Sequence, residues 1–129
     1  MAWEGDQIRM TLEAAADLSA KQYMFVKVDS NGKAALCAAA TDKPCGVLQN
    51  TPTSGQDAVI CAAGVSKVSS DAALNEGDLI GTSADAQADA KVAGTDTTEY
   101  TVGQMLTATG AAAGIGTALI NCMSPSRSA

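Results

Sequence analysis

Turn-forming residues punctuate this chain so closely that only short regular elements fit between them. Asn31-Gly32, Thr41-Asp42-Lys43-Pro44, Thr51-Pro52-Thr53-Ser54-Gly55-Gln56 and Asn75-Glu76-Gly77 each separate short apolar runs. Runs of that kind, rich in β-branched residues and bounded by Gly, Pro and Asn, read as strands. Several of them in succession predict a mostly β fold, a small compact β-barrel or β-sandwich with few or no helices.

The individual runs support this. Gln7 to Leu12 alternates polar and apolar residues, the period of a half-buried strand. Tyr23 to Val28 is β-branched and aromatic, and runs into Asn31-Gly32, a strong hairpin signal, with Lys33 to Ala38 returning. Cys45 to Gln49 and Ala58 to Ala62 read as strands, and Gly64 opens a further one, Val65 to Val68. Leu79-Ile80-Gly81 reads as a short strand after a turn. Val102 to Leu106 and Ala118 to Cys122 close the pattern, echoing the earlier strand, turn, strand arrangement of residues 46–61. Glu13 to Leu18 reads as a helical turn or an Ala-rich connection. Residues 82–100 carry few large apolar groups and read as an exposed excursion with one short strand near Ala90-Lys91-Val92. The expected organisation is an N-terminal segment over 1–10, a single β domain over 5–123, and a flexible C-terminal tail over 124–129.

Apolar residues make up 47% of the 129, but much of that is alanine, and aromatics are only 3%. Large side chains dominate the energy of burial, so a thin core of Val, Ile, Leu and Met is expected. Such a core implies help from partner subunits, hence a homo-oligomer. Against 14 acids stand 8 bases, a net charge of -6, and the bases do not cluster. A phosphate backbone would repel this chain, which argues against nucleic acid as a partner. No run approaches the roughly 20 apolar residues that cross a bilayer, so no membrane span is expected. The acidic opening Met1 to Asp6 lacks the basic region of a signal peptide, which predicts a protein held in the cytoplasm until it meets its partner.

There is no histidine, which removes the usual general base and the commonest metal ligand. Ser-His-Asp and Cys-His arrangements are impossible by composition. The acids Glu4/Asp6, Asp71/Glu76/Asp78 and Asp85/Asp89 stand in polar, turn-like stretches where solvated charge is the default. Cys37, Cys45, Cys61 and Cys122 form no C-x-x-C pair, so a structural zinc is not expected and four reduced thiols are; spacing alone does not settle whether they pair on oxidation. Gly110 to Thr117 lacks the Gly-Lys-Ser/Thr of a phosphate loop and reads as a flexible turn. No catalytic residue, no cofactor and no metal is expected, and the chain reads as a non-enzyme.

The order of the pieces resembles a known family. Gly5-Asp6-Gln7-Ile8, Cys45-Gly46-Val47-Leu48, Ala63-Gly64-Val65-Ser66-Lys67-Val68, Asn75-Glu76-Gly77-Asp78-Leu79-Ile80, and the closing Val102 to Leu106 with Ala118-Leu119-Ile120 follow one another as in the capsid decoration, or cement, proteins of tailed phages. The resemblance spans most of residues 5–122. The Ala-rich segment 13–20, the excursion 82–100 and the four cysteines depart from it. It implies a virion protein that binds the major capsid protein on the outer surface of the capsid and stabilises the lattice, commonly as a homotrimer. It also implies a compact β domain, often barrel-like or tulip-like, and no enzymatic activity. The rival reading is another β-rich virion component, a tail or fibre module, or a surface interaction module. In the first reading the N-terminal segment lies against the capsid, with Trp3 as an aromatic anchor and Ile8 and Met10 on one strand face. Trp is the only one of its kind here and is enriched at interface hot spots; the competing role for Trp3 is to cap its own domain's core.

Overall fold

The computed structural model describes residues 2–129, all of them in strands, turns and loops, with no helix. Met1, the first residue of the expected N-terminal segment, lies outside the described residues. Eleven strands follow in order: β1 (Gln7–Glu13), β2 (Phe25–Val28), β3 (Ala34–Leu36), β4 (Gly46–Leu48), β5 (Asp57–Ser69), β6 (Leu79–Thr82), β7 (Ala88–Ala90), β8 (Tyr100–Thr101), β9 (Gly103–Met105), β10 (Ile115–Asn121) and β11 (Ser126–Arg127). Nine of them form one antiparallel sheet in the order β3-β2-β4-β5-β10-β9-β6-β7, with β1 also paired to β5. The sheet curls into a half-barrel, and β8 with β11 makes a small second sheet. The mostly β expectation is met.

The long strand β5 organises the sheet. β1 pairs with it from Asp57 to Gly64, β4 pairs with Ile60 and Cys61, and β10 pairs with Ala63 to Ser69. Arg9 lies opposite Cys61 while Ile8 lies opposite Ala63, so Ala62 is an extra residue against β1. This is a β-bulge, which turns the strand and shifts its side-chain alternation by one. Two residues on lies Gly64, at φ +121, where a Cβ would come inside 3.0 Å of the Asp6 carbonyl oxygen. Gly64 therefore does not begin a separate strand; it lets one strand continue through the bulge while the N-terminal segment crosses close by.

Apolar residues on successive positions of the central strands serve two cores. Phe25, Val47 and Cys61 belong to an inner cluster with Val68, Ile80, Val102, Met105, Ala118 and Ile120. Their chain neighbours Val26, Leu48 and Ile60 belong to a second cluster with Ala14, Leu18, Ala34 and Ala58. Adjacent strand residues point to opposite faces, so β2, β4 and the start of β5 are buried on both sides. That is why residues 45–48 and 58–62 read as unbroken apolar runs. Of the four aromatics only Phe25 is fully buried, and the remaining large core groups are aliphatic, each contributing about 1.5–3 kcal/mol.

Of the two forms expected for the Ala-rich segment after β1, the structure has the irregular connection; Ala14 bridges Ala34, and Leu18 is buried. Another expectation is corrected. Residues 82–100 are not simply exposed: Thr82, Ala86, Ala88 and Lys91 are buried. The Lys91 ammonium is fully enclosed and paired with Glu99 and with Asp89 at 3.3 Å, which ties the segment down. The closing residues meet the rest of the domain. Ser126 and Arg127 pair with Thr101 and Tyr100, the Ser128 amide donates to the Glu99 carbonyl at 3.0 Å, and the Arg127 guanidinium lies over the Tyr100 ring. The Asn31-Gly32 hairpin does form, but through residues 29–33. Only Gly32 takes a positive φ there, and the Asp29 carboxylate accepts from the Asn31 and Lys33 amides.

Two expectations can be checked directly. Gly64→Ala combines an unfavourable φ with a backbone clash and should cost about 3 kcal/mol in urea unfolding; a loss under about 1 kcal/mol would mean that the bulge relocates freely. Asp42 accepts hydrogen bonds from the Ala38 and Ala39 amides at 2.8 and 3.1 Å and from Lys27 at 2.9 Å. Burial opposes its charge, but these donors outweigh burial and hold its pKa below the ordinary 3.8. The folded value lies below the unfolded one, so this stabilisation is present above pH 3.8 and fades as the pH falls through the folded-state value. The Ala38 and Ala39 amide resonances should titrate together below pH 3.8, and Asp42→Asn should abolish that titration.

Candidate docking face

Register defines an outward face on the half of the sheet that the second core does not cover. Residues directly opposite in an antiparallel pair point the same way. Along β10, Gly116, Ala118 and Ile120 are buried towards the inner core, while Ile115 and Leu119 are exposed on the other side at 44% and 47%. Leu119 lies opposite Val65 on β5 and Gln104 on β9, and Gln104 lies opposite Leu79 on β6. A row Val65-Leu119-Gln104-Leu79 therefore runs across four strands. Beside it run Ile8-Ala63-Asn121 and Lys67-Thr117. Of these strand residues only Lys67 is charged, and its ammonium lies 5.7 Å from the centre of the Tyr23 ring. In a chain of net charge -6, this is a nearly neutral, apolar surface.

The N-terminal segment is fastened across this face, from Val65 on β5 to Thr117 on β10. The Trp3 amide donates to Thr117 Oγ1 at 2.6 Å, and that hydroxyl donates to the Trp3 carbonyl at 2.9 Å. The Gly5 amide donates to the Val65 carbonyl and the Val65 amide to the Asp6 carbonyl, both at 3.1 Å. Thr117 is fully buried, and its hydroxyl is satisfied by the main chain that crosses it. The backbone is held while the indole stays 46% exposed.

The three sequence-derived contact residues thus divide. Trp3 and Ile8 are exposed on or beside this face, with Ile8 at 58%. Met10, two residues further along β1, packs partly against the second core cluster, where Leu12 joins it. Leu79, Ile115 and Leu119 were not singled out from the sequence. The alternation along β10 does not by itself say which side is buried, and the structure places Gly116 and Ala118 on the inner one. Among the described residues no group of three or more Cys, Asp or Glu side chains is placed to hold a metal ion.

No family model and no curated protein matches this sequence. A solved structure does match: the head fiber gp8.5 N base of bacteriophage phi29, with a TM-score of 0.64 over 91% of this chain and 96% of that one. The two chains share a fold. Sequence identity is 15%, so the likeness is one of fold and not of particular side chains.

Thr117→Val preserves shape but removes both bonds to Trp3. It should lower stability by about 1–2 kcal/mol and release the N-terminal segment. Because Trp3 is the only tryptophan, its fluorescence anisotropy should fall in the variant and stay high in Thr117→Ser; equal anisotropy in all three proteins would show that the hydroxyl does not hold the segment.

Proposed function

We propose that this chain is a structural component of a phage virion that binds the outer surface of the capsid and braces its lattice. The observation that carries this reading is the shared fold, spanning nearly the whole of both chains, with a phage head fiber protein. The apolar face supports it. Interfaces are centred on uncharged, aromatic and aliphatic groups, and here Trp3, Ile8, Leu79, Ile115 and Leu119 stand exposed around a neutral sheet surface. The partner in this reading is the major capsid protein, the assembled form a homo-oligomer with a trimer favoured, and the location the virion, reached from the host cytoplasm during assembly. The domain works by contact, without catalysis and without a cofactor.

The match to a fibre's base favours one further possibility, that the domain is the foot of a projection and adds no strength to the shell. Co-sedimentation with empty cognate shells tests the common claim, and shell resistance to heat separates the two. A cement raises the temperature of shell disruption, whereas a foot leaves it unchanged. Ile8→Asp with Leu119→Asp should weaken shell binding by about 30-fold, the size of one lost hot spot. Both side chains are exposed, so the variant's thermal unfolding should match the parent's. A wild-type chain that stays in the supernatant at every shell concentration would overturn the proposal.

A further inference from the structure

A cavity of about 270 Å³ opens where the two halves of the sheet meet, lined by Val28, Lys43, Pro44, Cys45, Cys122 and Pro125. Two thiols, those of Cys45 and Cys122, are in its lining. Their closeness follows from register. On β5, Val47 lies opposite Cys61 and Asn121 opposite Ala63, while the Cys122 amide donates to the intervening Ala62 carbonyl at 2.9 Å. The start of β4 and the end of β10 therefore abut at Ala62, and Cys45 and Cys122 are the residues at that junction. All four cysteines are free; Cys37, Cys61 and Cys122 are buried, and Cys45 is the most accessible of them.

We propose that Cys45 and Cys122 form a redox-dependent disulfide that fastens the start of β4 to the end of β10. The oxidant is a low-molecular-weight disulfide reaching Cys45 through the cavity. The Cys45 thiolate attacks one sulfur of that disulfide and expels the other as a thiolate. The Cys122 thiolate then attacks the mixed disulfide at Cys45 Sγ and expels the second. Two protein thiols are oxidised, one small disulfide is reduced to two thiols, and the two protons pass to the leaving groups. The bond would close a loop spanning most of the domain, the situation in which a cross-link constrains the unfolded chain most. Burial pushes Cys45 up to about 11 and, together with the neighbouring Cys45, Cys61 and Cys37 thiols, pushes Cys122 higher still. The lock therefore stays open in a reducing cell interior and closes slowly once the protein leaves it.

The test uses the reduced, folded chain and oxidised glutathione. Remaining thiols are alkylated after an acid quench, and the products are read by intact mass and peptide mapping. Two of the four thiols should disappear into one cross-linked peptide joining Cys45 to Cys122. The reaction should run about 30-fold faster at pH 9 than at pH 7.5, because thiolate rises tenfold per pH unit below the pKa. The oxidised protein should unfold about 5–15 °C higher, and reduction should reverse this. Cys122→Ser should stop at a glutathione adduct on Cys45, and Cys45→Ser should leave its thiols unreacted. Four alkylatable thiols after prolonged oxidation, or a cross-link through Cys37 or Cys61, would overturn the proposal.

Discussion

One unpaired residue in the middle of β5 governs how this sheet is buried. A strand presents alternate residues to alternate sides, so a single insertion exchanges the two sides for everything beyond it. Before Ala62, Ile60 faces the second core and Cys61 the inner one. Beyond it, even-numbered Val68 faces inward while Val65 and Lys67 turn outward. The first half of the sheet is thus buried on both surfaces, and the second half on one. β4 and β10 can follow each other along one edge of β5 because the bulge lies between their attachment points.

This division accounts for the bare surface. The connection through Ala14 and Leu18 and the side chains of Met10 and Leu12 cover the outer side of β2, β4 and the first part of β5. That cover ends near Ile8. Past that point the sheet has only the pinned segment Trp3 to Asp6 crossing from Val65 to Thr117, and the row from Leu119 to Leu79 is left open. A chain with few large side chains has placed several of them where they add nothing to its own core. In a thin-cored domain that allocation makes physical sense when another protein surface completes the burial.

Much of the architecture was legible because local patterns and tertiary burial agree. β1 and β10 alternate, and the hairpins around residues 29–33 and 49–56 are written in Gly, Pro and Asn. The failures occur where the deciding partner is remote in sequence. Gly64 looks like a strand opening because its reason, the approach of Asp6, lies in a segment far away along the chain. Lys91 looks exposed because lysine almost always is, and only the folded chain brings Glu99 over it. The tail looks loose because two residues are too few to announce a strand, yet Tyr100 and Thr101 receive them. For the docking face, Trp3 and Ile8 could be picked out by type and position. Leu119 could not, since an alternating strand reads the same whichever side is buried, and the choice is made by Met105 and Ile80 beneath it.

The place of β10 has a consequence for biosynthesis. The strand lies between β5 and β9, in the interior of the sheet, yet it leaves the ribosome after every other strand it helps to join. Until residues 115–121 emerge, the second half of β5 offers an open row of amides and carbonyls, and the strands from β6 to β9 have nothing to join. Nascent chains crowded on one messenger would meet through that row, which makes the interval before β10 emerges the period of greatest risk for cross-pairing. A chain without β10 would lose the seam that holds the two halves together.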